Sequence, residues 1–181
     1  ASDTVCKYYL ISYLEEFNKL YPKVKIKVIN RTSPQILDML KKQSLDIGII
    51  TLPVDDKHIN AVKFLEVENI FIACNKFSNI KEKTLSFNEI ADYPLLMLER
   101  NSKTRQNLDD FFKKKGISII PEIELESMDL LVEFAKIGLG IACVLKESAA
   151  AEIQKKQLFE VKLKQKLPPH PLGIHLLKYI Y

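Results

Sequence analysis

The sequence predicts an α/β fold in two lobes. Short apolar runs suited to buried strands alternate along the chain with stretches whose apolar residues recur every three or four positions. This alternation falls into two blocks, about residues 1–70 and 71–145, followed by a C-terminal tail. With 181 residues, 47% of them apolar, the chain can bury its core without disulfide or metal support.

Residues 4–20 read as a helix, because Leu10, Leu14, Phe17 and Tyr21 recur at helical spacing and Tyr21-Pro22 ends the pattern. KVKIKVI follows, in which Val24, Ile26 and Val28 alternate with Lys23, Lys25 and Lys27, the period of a strand with one buried face. In NRTSPQILDMLKK, Ser33 is placed as the N-cap with Pro34 at the first helical position, and Ile36, Leu37 and Leu40 line one side. LDIGII is a nearly continuous apolar strand. Strand, helix and strand in succession predict a right-handed βαβ crossover and a parallel sheet covered by helices.

The second block repeats this grammar. NIFIAC is a strand, SFNEIADYP carries the capping box Ser86 to Glu89, and LLML is a strand. A helix from about 103 to 115 turns Leu108, Phe111 and Phe112 inward and stops at Gly116. EIELE alternates as a strand, Ser127 caps a helix through Ile137 that Gly138 ends, and IACVL is a buried strand. In the tail, SAAAEIQKKQ predicts a short helix, LFEVKL a strand, PPHP a loop and LGIHLLKYIY a final strand.

The composition excludes several classes. The net charge of +4 comes from 24 lysines and 3 arginines against 23 acids, with the lysines spread along the chain as on a solvated surface. No arginine-aromatic stripe of the kind that lines nucleic-acid grooves is present. There is no run of eighteen apolar residues, and Asp3, Glu15 and Glu16 interrupt the stretch where a signal peptide needs a clean apolar block, so a soluble, cytoplasmic chain with no membrane contact is expected. Cys6, Cys74 and Cys143 are odd in number and have no metal-like spacing, which predicts buried free thiols. His58, His170 and His175 have no partners at HExxH-like or triad-like spacing and read as surface or structural histidines. GxGxxG and GxxxxGK[ST] are absent, and the GLG at 138–140 reads as a helix stop leading tightly into a strand. No enzyme, cofactor or metal site is expected.

What remains is a set of hydroxyls. In open α/β sheets ligands bind beyond the carboxyl ends of strands, where loops enter helix N-termini. Those junctions here read ASDT, RTS, NSKTR and ES. Helix N-termini present unpaired amides and a partial positive charge, so hydroxyls there suit an anion, although each also reads as an ordinary N-cap. Arg31, Arg100 and Arg105 all fall at these junctions, and arginine is the better residue for two-pronged contact with a carboxylate or phosphate.

Taken in order, FNKLYPKVKIKV, RTSPQILDMLKKQSLDIGII, SFNEIADYPLLML, NSKTRQNLDDFFKKKGI and ELESMDLLVEFAKIGLGIACV resemble the effector-binding domain of LysR-type transcriptional regulators over essentially the whole chain. The resemblance implies two Rossmann-like α/β lobes joined by two crossover strands, like a type II periplasmic binding protein. Lobe one would be residues 1–70 and 146–181, and lobe two 71–145. It implies a small, often anionic effector between the lobes, at positions matching Ser2, Thr4, Thr32, Ser33, Thr51, Ser102, Thr104 and Arg105, with Ser127 beside them. It further implies a homodimer or higher homo-oligomer, pairing residues 4–29 with 103–126, and DNA binding only through an N-terminal winged helix-turn-helix absent from this chain. Asn101 and Lys103 stand where the family's G-S-G-T-R loop has glycines, and Asp3 adds a carboxylate that would cap the helix or select an amine. A transporter's solute-binding protein shares the implied fold. So does a prephenate-dehydratase-like enzyme, whose Thr-Arg-Phe site Thr104-Arg105-Gln106 matches only in part.

Overall fold

The computed structural model describes residues 1–54 and 56–177. The chain forms two compact units, Ala1–Glu66 with the segment from Pro171 onward, and Val67–His170. The chain therefore passes between units at 66/67 and again at 170/171. The second passage lies well beyond the expected boundary at 146, because α7 (Lys146–Gln154) starts directly after β7 (Ile141–Leu145) and packs back on the same sheet. Residues 178–181, the end of the expected final strand, lie outside the described residues.

The second unit follows the sequence closely. Its sheet runs β6-β5-β7-β3-β8, from β6 (Ile123–Leu125), β5 (Leu95–Leu98), β7, β3 (Asn69–Cys74) and β8 (Leu158–Glu160). β5 is parallel to β6 and β7, while β3 is antiparallel to both its neighbours, so the sheet is mixed where a parallel one was expected. β3 and β7 are buried at every position, as their continuous apolar runs require. α5 (Lys103–Lys114) buries Leu108 and Phe112 and half-buries Phe111. α6 (Met128–Lys136) lays Leu131, Val132 and Ala135 on the sheet. Both helices stop at glycines with positive φ, Gly116 at 70° and Gly138 at 79°. A two-stranded parallel pair, β4 (Thr84–Leu85) with β9 (Lys162–Leu163), completes the unit.

α4 (Phe87–Ala91) begins in the expected capping box. The Glu89 amide donates to Ser86 Oγ at 3.3 Å, and Glu89 Oε2 accepts from the Ser86 amide at 2.7 Å. The Ser86 hydroxyl and amide, aided by Lys164, hold the Glu89 carboxyl down to about 2. That stabilisation is complete above the ordinary glutamate range and fades as the pH falls toward 2. Ser86→Ala is expected to cost about 1 kcal/mol, or roughly 2–4 °C in a thermal melt monitored by circular dichroism.

The first unit departs further from expectation. Its sheet, β1-β10-β2, contains β1 (Gly48–Thr51), β10 (His170–Leu177) and β2 (Ile59–Val67). β1 and β10 are antiparallel, with Gly48 opposite His175. α3 (Ser33–Lys41) packs so closely on Gly48 that an added Cβ would lie 2.8 Å from both Ile36 Cγ2 and Leu40 Cδ1. Ile36, Leu40, Ile50 and Ile59 form the core of this unit.

Two expectations are corrected here, and the helix expected at 4–20 is formed. KVKIKVI forms no strand, and Val24, Ile26 and Val28 are 50%, 42% and 49% exposed. Alternation gives a strand only where a neighbour supplies a ladder, and none runs along residues 24–28 among the described residues, so the predicted parallel crossover is not formed. The first helix forms as α1 (Asp3–Val5), a π turn (Cys6–Leu10) and α2 (Ile11–Leu20), but Phe17 and Tyr21 stack on each other at 4.9 Å in the open. The N-cap of α3 is Thr32, not Ser33: Gln35 Oε1 accepts from the Thr32 amide at 3.2 Å, and Ser33 takes the first helical position. Cys74 and Cys143 are buried free thiols, and Cys6 is half-buried. No helix among the described residues is long and apolar enough to cross a membrane.

Candidate functional site

The nine sequence-predicted residues divide between the units, and each group is brought to a pair of helix starts. In the first unit, Ser2 is the N-cap of α1, with Oγ accepting from the Val5 amide at 3.4 Å, and Thr4 is half-buried in the first turn. Backbone and side-chain bonds then tie this terminus to that of α3. The Ala1 ammonium donates to Ile29 O, the Arg31 amide donates to Ala1 O at 3.2 Å, and Asn30 Nδ2 donates to Asp3 Oδ1 at 3.1 Å. Ser2, Thr4, Thr32 and Ser33 are therefore neighbours through bonds that sequence reading did not foresee. Asp3 is engaged by Asn30, and Arg31 turns back to donate to Asn30 O. Thr51 closes β1 and is only 6% exposed.

In the second unit, β5 and β6 are adjacent and parallel, with Leu98 opposite Leu125, and each leads into a helix. Ser102, the N-cap of α5, and Ser127, the N-cap of α6, thus follow the carboxyl ends of neighbouring strands at the same end of one sheet. Ser127 Oγ is used as a cap, accepting from the Leu130 amide at 3.4 Å. Among the described residues, the hydroxyls of Ser33, Ser102 and Thr104 make no side-chain hydrogen bond. They stand at helix starts, where the first amides have no partner within the helix, a setting that suits an anion.

Arg105 is placed differently from the sequence expectation. Its side chain is 2% exposed, with Nε donating to Asp109 Oδ1 at 2.8 Å, Nη1 donating to Leu98 O at 2.7 Å, and Nη2 3.6 Å from Glu124 Oε1. The guanidinium braces the loop between β5 and α5 from inside, which is why the arginine is there. Gln106 Nε2 supports the same loop by donating to Arg100 O at 3.1 Å. Burial pushes the Cys143 thiol up to about 12 against the opposing field of Arg105, so this thiol is not a nucleophile at neutral pH. No group of three or more His, Cys, Asp or Glu side chains among the described residues is placed to hold a metal.

A family model described as the LysR substrate binding domain matches residues 1–178. The chain is 30% identical over 152 residues to the HTH-type transcriptional activator CmpR of Synechocystis sp., covering 84% of this chain and 50% of that protein. It is 23% identical over 150 residues to the HTH-type transcriptional regulator cbl of Escherichia coli, covering 82% and 48%. The chain thus spans about half the length of these curated relatives. Among solved structures, the cofactor-binding domain of the Cbl transcriptional regulator is similar with a TM-score of 0.85 at 22% identity, covering 98% of this chain and 78% of that one. The Synechocystis PCC6803 CcmR regulatory domain in complex with 2-PG gives 0.86 at 19%, covering 98% and 86%. The effector binding domain of QuiR in complex with shikimate gives 0.85 at 16%, covering 99% and 85%. The fold is therefore of the type II periplasmic-binding-protein-like kind found in such effector domains.

Proposed function

This chain belongs to the LysR substrate-binding domain family, and on that premise we propose that it is the effector-sensing part of a LysR-type transcriptional regulator, binding a small anionic metabolite. The observation that carries the ligand class is the set of unengaged hydroxyls at helix starts in both units, Ser33 in one and Ser102 and Thr104 in the other. Ser2, Thr4, Thr32, Thr51 and Ser127 complete the proposed contacts. Arg105 enters as the residue that fixes the Ser102–Thr104 turn, its charge being answered within its own unit. The two small molecules held by the similar CcmR and QuiR domains, 2-PG and shikimate, support a small-molecule effector.

The sensor acts by binding, not turnover. Ligand binding favours one arrangement of the longer protein over another, and a winged helix-turn-helix elsewhere in that protein contacts DNA. The working form is a homodimer or higher homo-oligomer in the cytoplasm.

A thermal-shift screen with sulfate, phosphate, small carboxylates and amino-acid derivatives tests this reading. A ligand at 100 times its dissociation constant stabilises by about 2.7 kcal/mol, which for a chain of this size is roughly 5–10 °C. Thr104→Ala and Ser33→Ala are each expected to remove most of the shift. Flat curves across all anions, or a shift that both variants retain in full, would leave these hydroxyls as surface polar groups of the first helical turns and remove the anion reading.

A further inference from the structure

The chain leaves the second unit at two places, and a buried polar pair joins them. Asn69 begins β3 two residues after the first passage, and His170 begins β10 at the second. Their side chains meet at 3.1 Å, Asn69 Nδ2 against His170 Nδ1, across 101 residues of sequence, and both residues are 6% exposed. The change of unit is abrupt: His170 bonds within the second unit, while the next carbonyl, Pro171 O, accepts from the Leu52 amide in the first. Strand ends that carry a chain between compact units are where hinge rotation is absorbed.

We propose that the Asn69–His170 pair is a proton-operated clasp at the two exits of the second unit: with His170 neutral it ties the start of β3, just after the first passage, to the start of β10 at the second, and protonation of His170 releases them. A neutral imidazole accepts from the carboxamide Nδ2 in a dry site, whereas an imidazolium, a donor at both ring nitrogens, loses that bond and has to find an acceptor. Asn69 Oδ1 is buried with no hydrogen-bond partner. The charged groups beside the pair, Glu68 and Lys146, are half-exposed and lie 3.8 Å from each other, and the Lys146 amide donates to Glu68 O at 3.0 Å. Burial alone holds the His170 imidazole down to about 4, with no charged group contributing. The clasp is accordingly closed at neutral pH and opens in acid, admitting water to the imidazolium.

The test is hydrogen exchange read by mass spectrometry from pH 7 to 3.5, corrected for intrinsic rates, on the 181-residue chain and on Asn69→Asp and His170→Gln, with the His170 Cε1 proton followed by NMR in the unsubstituted chain. The expected result is at least a tenfold rise in exchange at residues 67–70 and 169–172 as His170 titrates, while Leu95–Leu98 and Ile141–Leu145 stay protected. Asn69→Asp gives the imidazolium a carboxylate, so His170 titrates at higher pH and the two segments stay closed through the range where the parent opens. His170→Gln removes the acid response. The proposal is overturned if His170 titrates near the ordinary histidine value, if both segments open only together with the whole unit, or if the variants open at the same pH as the parent.

Discussion

Arg105→Ala is expected to lower the melting temperature by about 10 °C. The guanidinium is almost wholly buried and donates to a backbone carbonyl, Leu98 O, and a carboxylate, Asp109, with Glu124 close by. Truncation leaves that carbonyl without its donor and two carboxylates without their cation, and breaking such a buried pair typically costs about 3–5 kcal/mol. Asp109 and Glu124 are themselves partly hydrated, at 40% and 31% exposure, which places this case toward the lower end. At roughly 2–4 °C per kcal/mol for a chain of this length, the shift is readily measured by calorimetry. Arg105→Lys is expected to recover only part of it, because a single ammonium cannot serve both Leu98 O and Asp109 in the fork that arginine provides. A variant melting within 2 °C of the parent would show that the arginine is free to serve a ligand.

Gly140→Ala is the second large effect, expected to cost about 3 kcal/mol, while Gly116→Ala costs about 1–2. Gly140 enters β7 directly against the loop before β5. An added Cβ would fall against the Pro94 carbonyl oxygen, well inside contact distance, and 3.0 Å from Leu96 Cδ2. The obstacle is backbone, pinned by the Ile141 amide donating to Pro94 O at 2.8 Å, so it cannot rotate away as a side chain would. At Gly116 nothing lies within 4 Å of the added atom, and the only penalty is the left-handed backbone at φ 70°. Urea unfolding of both variants checks the order; the reverse order would mean that the β5–β7 junction yields more easily than its geometry indicates.

These two glycines also show what the sequence could and could not reveal. Gly116 after an amphipathic helix is a legible stop, and the cap at Ser86, the buried runs NIFIAC and IACVL, and Ser127 before α6 are legible in the same way, because each is decided within a few residues. The approach of Gly140 to Pro94 depends on two distant segments, and only the reading of 138–140 as a tight strand entry hinted at it. Arg105 was visible as an arginine at a junction, but its fate is set by Leu98 O and by Glu124 on the next strand, which no local pattern encodes. β2 escaped notice because its middle is exposed, so INAVKFLEV lacks a clean period of two. The shift from Ser33 to Thr32 as N-cap was avoidable: T-x-x-Q from Thr32 to Gln35 is a capping-box spacing, whereas the position of Pro34 fits either register.

The ladder-free segment that follows the turn at 22–24 has a consequence for how the protein behaves in a concentrated solution. An unladdered edge with apolar side chains is a template for aggregation, since a second such edge can zip onto it. Lys23, Lys25 and Lys27 alternate with those side chains, so two edges brought together would oppose like charges. That guard is electrostatic and fails with salt, the screening length shrinking from about 10 Å at 0.1 M to about 3 Å at 1 M. Colloidal stability of this chain is therefore favoured by dilute buffer, the reverse of a protein whose copies adhere through opposite charges.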